Sequence, residues 1–150
     1  MDDDDILDTL NDLIETCKDG EYGFRSCAEH AKSSDLAALL TRRAEDCRLA
    51  AGELQGHVVA LGGKPETGGT VPGALHRGWV SVRSTLAASD DLAVLDECER
   101  GERSAVAKYG AALEKSLPEP LLSVIERQYE GAERNLEQVR ALRDSLQSNR

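Results

Sequence analysis

The sequence predicts an all-α protein, a bundle of four long helices in one domain that spans residues 1–150. Three observations lead to this prediction. Aromatic residues make up only 3% of the chain and runs of β-branched residues are missing, a composition that favours helix over strand. Apolar residues recur at alternating spacings of three and four, the pattern of a helix with one buried stripe. A length of 150 residues suits one domain with one core.

The apolar stripes define four predicted helices. The first, α1 (about 5–32), begins behind four aspartates, whose charge opposes the positive end of the helix dipole. The second, α2 (35–61), ends at a pair of glycines, which favour a helix C-terminus. The third, α3 (90–117), follows a Ser-Asp-Asp sequence that suits an N-cap. Two prolines then separate it from the fourth, α4 (120–147).

The connections between these helices predict how they are arranged. A few residues join α1 to α2 and α3 to α4, so each pair is expected to form an antiparallel hairpin. The connection between α2 and α3, residues 62–89, is longer than a bundle loop and becomes amphipathic through Leu75, Trp79, Val82 and Leu86. A 27-residue helix is roughly 40 Å long. We therefore expect this connection to cross over along the length of the bundle and to contain a short helix. Two hairpins joined by one long crossover form the ferritin-like topology, with α2 and α3 parallel.

Four stretches of the chain are similar to a known family. The chain resembles small ferritin-like four-helix-bundle proteins of unknown function from proteobacteria in LNDLIETCKDG, GELQGHVVALGGKP, GALHRGW and CERGE. The resemblance extends over about residues 6–144. It implies a ferritin-like fold and, by analogy, a link to bacterial stress physiology. It implies no activity, because none is established for the family.

Charge and cysteine content argue against several classes of protein. The net charge of -10 and the pI near 4.8 argue against nucleic-acid and anionic-membrane partners, which require basic patches. No apolar run approaches the length of a membrane span, and the opening residues lack the pattern of a signal peptide, so we expect a cytoplasmic protein. The four cysteines form no C-x-x-C pair, and we expect reduced thiols within helices.

Acidic residues inside the predicted apolar stripes form the best candidate site. Glu99 and Glu102 fall near the centre of the buried arc of α3, Glu21 lies one step from the stripe of α1, and Glu133 lies at the margin of α4. Counted from the hairpin turns, Glu21, Glu102 and Glu133 share roughly one level in the middle of the bundle. Small residues at that level, Cys47 among them, leave space. An ionised carboxylate is costly to bury alone, so these groups are expected to have a cationic partner.

The first candidate partner is a guanidinium. Arg43 lies on the inward stripe of α2, and with α2 and α3 parallel we expect it to be level with Glu99. A structural polar layer would then contain Arg43, Glu99 and Glu102, with Tyr109 and Tyr129 as hydroxyl partners. A different possibility is that the carboxylates lie at the edge of the bundle and are simply hydrated.

The second candidate partner is a metal ion: iron, manganese or zinc. Its ligands would be Glu21, Glu99, Glu102, Glu133 and the Cys47 thiolate. Ferritin-like di-iron proteins place one Glu on each of two helices and a Glu-x-x-His pair on each of the other two. The matching positions here are Ala44 and Cys47 in α2 and Glu133 and Leu136 in α4, so both histidines are missing. We therefore expect no cofactor and no di-iron oxidase or peroxidase chemistry.

The sequence favours a non-catalytic structural or interaction protein over an enzyme. It contains no nucleophile elbow, phosphate-binding loop, dinucleotide fingerprint or zinc-protease motif. The alternative is a degenerate carboxylate metal-binding protein of the ferritin-like kind. A further alternative is an adaptor whose partner docks on GALHRGW, although Trp79 in that segment more often anchors such a segment to its bundle. The expected partner is an unidentified protein or a second copy of the chain.

Overall fold

The computed structural model describes residues 1–67, 79 and 90–149, and these residues form helices and short connections without any strand. The four helices in this part of the chain are α1 (Asp3–His30), α2 (Ser34–Ala60), α3 (Asp91–Leu113) and α4 (Leu121–Ser148). The predicted all-α class and the four-helix architecture are confirmed. The predicted crossover helix with Leu75, Val82 and Leu86 lies outside the described residues.

Acidic side chains cap two helix N-termini. Asp2 Oδ1 accepts the Asp5 N–H of α1 at 2.9 Å, and Asp90 Oδ1 accepts the Ala93 N–H of α3 at 3.1 Å. Each of these bonds satisfies a backbone donor that has no partner inside the helix. The aspartate run at the start of the chain therefore stabilises α1 both by capping it and by facing its dipole.

Two contacts at opposite ends of the bundle determine the direction of the helices. The Asp91 carboxylate, at the start of α3, accepts the backbone N–H groups of Lys32 and Ser33, between α1 and α2, at 2.7 and 2.9 Å. At the other end, Lys115 Nζ donates to Thr9 Oγ1 at 2.9 Å. Hence α1 and α3 are antiparallel, and α2 and α3 start at the same end and run parallel. This is the predicted ferritin-like topology.

The buried apolar side chains form two clusters, one towards each end of the bundle. The cluster near the start of α1 includes Leu10, Ile14, Leu54 and Ile125. The cluster near the start of α2 and α3 includes Phe24, Leu40, Val94 and Val139. Between them lies a level with polar and small side chains, and the candidate site is at this level.

The four helices do not pack equally tightly. α1 packs closely against both α2 and α3, and α4 packs closely against α3, whereas the contact between α2 and α4 is much sparser. No helix within the described ranges has the length and apolar content needed to cross a membrane.

The Trp79 indole inserts between α1 and α3. A Cβ atom on Gly23 would lie 2.2 Å from Trp79 Cδ2, and one on Gly101 would lie 2.2 Å from Trp79 Cζ2, so only glycine fits at either position. The indole packs edge-on against Phe24, with ring centroids 5.0 Å apart, and is 4% exposed. Trp79 therefore packs into the bundle, as predicted for an anchor, and residues 73–78 of GALHRGW lie outside the described residues.

Candidate functional site

Glu102 is the buried carboxylate at the centre of the bundle. It projects from α3 and is only 1% exposed. Arg43 of α2 donates two parallel hydrogen bonds to it, from Nε to Oε2 at 2.9 Å and from Nη2 to Oε1 at 2.8 Å. Asn135 of α4 donates a third, from Nδ2 to Oε2 at 2.6 Å. Three helices thus meet in one polar layer, and the bidentate geometry is the strongest form of an arginine–carboxylate pair.

The sequence places Arg43 in this layer because it occupies an inward position of α2 between two buried residues, Leu40 and Cys47. Its guanidinium carbon lies 5.8 Å from the centroid of the Phe24 ring, a cation–π contact. Burial by itself lowers the pKa of Arg43, but Cys47 and the hydrogen bond and charge of Glu102 raise it, and the net direction is upward. The guanidinium is therefore a permanent cation inside the bundle.

The partner of Arg43 is Glu102 rather than Glu99, which the sequence analysis had placed level with it. Glu99 lies three residues closer to the start of α3 and is also buried, but it faces α4. It accepts hydrogen bonds from Arg103 Nη2 at 2.9 Å and Arg140 Nε at 3.0 Å, and it forms a salt bridge with Arg143. Glu99 therefore belongs to a separate arginine cluster near the surface.

Two other predicted carboxylates do not reach the central layer. Glu21 is partly exposed and faces Lys18 at 3.7 Å and Arg25 at 3.6 Å on its own helix. Glu133 is exposed. Tyr129 is close to Glu133, whose negative charge raises the pKa of the phenol. The expected level shared by Glu21, Glu102 and Glu133 is thus absent, because one step off the apolar stripe is enough to place a carboxylate at the surface.

The residues predicted as metal ligands are consequently dispersed. Glu102 is bonded to Arg43, Glu99 to three arginines, and Cys47 packs against Gly20. Over residues 1–67, 79 and 90–149, no three His, Cys, Asp or Glu side chains are arranged to hold a metal ion.

A second polar network lies beside the first. Tyr109 of α3 donates its hydroxyl proton to Gln128 Oε1 of α4 at 2.8 Å, so the Cys17 thiol, 3.0 Å away, donates to the Tyr109 oxygen. Gln128 Nε2 in turn donates to Glu53 Oε1 at 3.0 Å. Burial raises the pKa of Cys17 to about 11 and that of Tyr109 well above its usual value. Tyr109 is therefore a partner of a thiol and an amide, and not of a carboxylate as predicted.

A cavity of about 590 Å³ extends through the middle level of the bundle. This volume is typical of small-molecule sites. Residues of all four helices line it, and those with chemical interest are Cys17, Arg43, Cys47, Trp79, Glu102 and Tyr109. The cavity thus gives access to the polar layer and to two of the four thiols.

Sequence reasoning did not identify Asn135 and Gln128 as members of these networks. The two residues lie seven positions apart on α4, on the same face as Ala132. A polar amide at such a position in an otherwise apolar stripe is a recognisable signal, because a buried amide requires hydrogen-bond partners. The inward position of both amides on α4 was therefore the signal in the sequence that could have identified them.

Comparisons with known proteins agree with this architecture. Residues 5–115 match the family described as "Domain of unknown function (DUF2383)". No curated protein matches the chain. Among solved structures, a point mutant of Dps1 from Mycobacterium smegmatis is similar with a TM-score of 0.80 and 16% identity, over 95% of this chain and 99% of that one. A dodecameric thioferritin, the bacterioferritin-related protein from Bacteroides fragilis, has a TM-score of 0.77 and 16% identity, over 99% and 92%. These similarities confirm the ferritin-like fold.

Proposed function

The chain belongs to the family described as a domain of unknown function (DUF2383), and on that premise we propose that it is a non-catalytic, ferritin-like structural or interaction protein. The salt bridge between Arg43 and Glu102 carries this proposal. Ferritin-like di-iron proteins use inward carboxylates to hold metal ions. In this chain the inward carboxylate is already neutralised by a guanidinium from the neighbouring helix. The link to bacterial stress physiology stays a prediction from the resemblance alone.

The strength of the salt bridge supports a structural role. Glu102 is buried, and the side chain of Arg43 is 14% exposed. Breaking such a pair by removing one partner typically costs about 3–5 kcal/mol, because the other charge is left uncompensated. A metal ion at Glu102 would have to displace the guanidinium rather than water, which makes the layer a poor site for a hard divalent ion.

Metal analysis tests the proposal against its alternative, the degenerate metal-binding protein. The protein is purified without chelator, incubated with Fe²⁺, Mn²⁺ or Zn²⁺, dialysed and analysed for bound metal. We expect substoichiometric metal in the wild type. Stoichiometric metal that is lost in Glu102→Gln and retained in Glu130→Gln, the matched control at an exposed carboxylate of α4, would establish the alternative and refute the structural proposal.

The outer face of α2 supports an interaction with a second copy of the chain. Leu49 and Val59 are 56% and 60% exposed, and a Cβ atom on Gly52 or Gly56 would meet nothing within 4 Å. These four residues share one face of the helix, since their spacing is three, four and three. An apolar, unpartnered helix face of this kind is typical of a contact surface. The thioferritin with the same fold is a dodecamer, so the partner that we propose is this chain itself.

Light scattering coupled to size-exclusion chromatography tests this contact. We expect the wild type to be an oligomer and Leu49→Glu or Val59→Glu to reduce its mass. The matched control is Leu142→Glu, since Leu142 is an exposed leucine on α4. A monomeric wild type, or an equal effect of Leu142→Glu, would refute an oligomer formed through α2.

A further inference from the structure

The central cavity reaches the surface between α2 and α4, whose mutual contact is sparse. Exposed residues of both helices line it there, Asp46 on α2 and Arg127 and Arg134 on α4. Gly131 of α4 lines it as well. Among the described residues, the only atom that a Cβ atom on Gly131 would meet within 4 Å is Arg134 Nη2, at 3.8 Å. The cavity therefore has a mouth beside Gly131, with the Arg134 guanidinium at its edge.

Aromatic and small side chains form much of the inner wall of the cavity. The rings of Phe24 and Trp79 line it, with their centroids 5.0 Å apart, and Tyr109 and Ala105 of α3 line it further along. The volume of about 590 Å³ lies within the range of small-molecule sites, whose walls are mostly apolar with a few polar groups. Because aromatic rings pack well against each other edge-on or offset, this wall favours a ligand with an aromatic body.

The Arg43 guanidinium has donors that the described residues do not use. Its Nε and Nη2 atoms donate to Glu102, and within the described part of the chain Nη1 has no acceptor. No buried side-chain nitrogen or oxygen atom of the described residues lacks a hydrogen-bond partner, so Nη1 is accessible to solvent. Since Arg43 lines the cavity, its Nη1 N–H groups are placed to donate to a ligand there.

The charged side chains that line the cavity favour an anion on the side of α4. In the described part of the chain they are four cations and four carboxylates, Arg43, Lys108, Arg127, Arg134, Asp19, Asp46, Glu53 and Glu102. The net charge of the protein is -10, so the cavity repels an anion less than the protein as a whole does. Glu102 and Glu53 are already paired with arginines. The other two carboxylates belong to α1 and α2, whereas Arg134 of α4 forms no salt bridge with a described residue.

We propose that the central cavity binds one organic anion with an aromatic body, whose acid group lies beside Arg134 at the mouth between α2 and α4. The aromatic body packs against the inner wall, and Arg43 Nη1 donates to any acceptor that the body carries. Binding leaves the salt bridge between Arg43 and Glu102 intact, and it requires neither a metal ion nor a second copy of the chain. This proposal and the proposed function can therefore fail independently of each other.

Fluorescence titration with anilinonaphthalene sulfonate tests the site, because this anionic aromatic probe emits strongly when it leaves water for an apolar site. We expect one equivalent to bind to the folded wild type. Gly131→Leu should narrow the mouth and weaken binding about 10-fold or more. The matched control is Gly110→Leu on α3, where a Cβ atom would be 3.9 Å from Tyr129 Cε1 and outside the described lining of the cavity. A lack of saturable binding, or an equal loss in Gly110→Leu, overturns the proposal.

The neutral analogue phenylnaphthylamine, which lacks the sulfonate, tests the role of charge. At low ionic strength Arg134→Gln should weaken binding of the sulfonate about 3- to 5-fold and leave binding of the neutral analogue unchanged. The matched control is Arg25→Gln, since Arg25 is an exposed arginine of α1 outside the described lining of the cavity. It should change neither affinity. Equal effects of Arg134→Gln on the two probes, or equal effects of the two variants on the sulfonate, overturn the assignment of an anion.

A measurement on the wild type keeps the test valid if a variant fails to fold. Crystals of the wild type soaked in anilinonaphthalene sulfonate locate the probe without any substitution. We expect density for one molecule in the central cavity, with its sulfonate next to Arg134. Probe molecules bound at the outer surface alone, or a sulfonate directed away from Arg134, overturn the proposal.

Discussion

The slot that holds the Trp79 indole predicts opposite effects for the same substitution at two glycines. Alanine in place of an exposed helical glycine stabilises a protein by about 0.5–1 kcal/mol, because glycine loses more freedom on folding. Gly131 of α4 should follow this rule, since the nearest atom to an added Cβ atom would be Arg134 Nη2, at an ordinary contact distance of 3.8 Å. Gly101 of α3 should not, because its Cβ atom would lie 2.2 Å from Trp79 Cζ2 and would force the indole out of the slot.

The expected loss follows from the burial of the indole. Trp79 is 4% exposed, and a buried aromatic side chain removes about 150–250 Å² from water. At roughly 25 cal/mol per Å², burial of the indole contributes about 4–6 kcal/mol to stability. The better helix propensity of alanine offsets about 1 kcal/mol of the loss of this contribution. Gly101→Ala should therefore lower the free energy of unfolding by about 3–5 kcal/mol. At about 2–4 °C per kcal/mol for a chain of this size, the melting temperature falls by about 6–20 °C.

Urea unfolding followed by circular dichroism and by fluorescence measures both consequences. Trp79 is the only tryptophan of the chain, so its emission reports the slot directly and should shift to longer wavelength in folded Gly101→Ala. In a Trp79→Ala background the same substitution should cost little, because the steric conflict is gone. A Gly101→Ala variant that is as stable as Gly131→Ala and has unchanged emission would refute the reasoning.

Three further predictions concern the polar layer, a thiol and the α1–α2 turn. Arg43→Met and Glu102→Leu should each lower the free energy of unfolding, measured with urea, by about 3–5 kcal/mol, because the remaining charge is buried alone. The double variant should recover much of this loss, because neither charge is then left. A double variant whose loss equals the sum of the two single losses would count against the pair. The free energy of unfolding should fall as the pH rises from 9.0 through about 11, because burial raises the pKa of Cys17 from 9.0 to about 11 and the folded state therefore holds the thiol proton more tightly. The decrease should be less steep in Cys17→Ala. Equal slopes in both proteins would contradict this prediction. Asp91→Ala removes the acceptor of two backbone N–H groups and should lower the free energy of unfolding by about 1–3 kcal/mol. The matched control Asp96→Ala, at an exposed residue, should change it by less than about 0.5 kcal/mol. Equal melting temperatures of the two variants would contradict this prediction.

The helices and their connections could be predicted because they depend on local patterns. The three-and-four spacing of apolar residues, the glycine pair after α2 and the prolines before α4 all act within one turn of where they stand. The topology followed from loop lengths, since short loops force antiparallel neighbours and a long connection permits a parallel one. These features require no knowledge of how side chains meet across the bundle.

The candidate site could be predicted only in part. That Glu102 and Arg43 point inward followed from their angular position on α3 and α2. Their pairing also depends on how far α2 and α3 are shifted along the bundle axis relative to each other. Angular position does not determine this shift, and for that reason Glu99 rather than Glu102 was predicted to be level with Arg43. Glu99 instead meets arginines whose long side chains reach it from α4 and from its own helix. Glu21 lies one residue from the apolar stripe of α1. A rotation of 100° per residue is too coarse to decide whether a side chain at such a position is buried or exposed.

The polar layer has a consequence for the alignment of the helices. A shift of α3 by one turn relative to α2 would move Gly101 away from the Trp79 indole, and it would also separate the two charges of the polar layer. Such a shift displaces Glu102 by about 5.4 Å from Arg43 and buries two unpaired charges, so the shifted arrangement is selected against. The buried ion pair thus contributes to the vertical register of the bundle, as a polar residue does in the seam of a coiled coil.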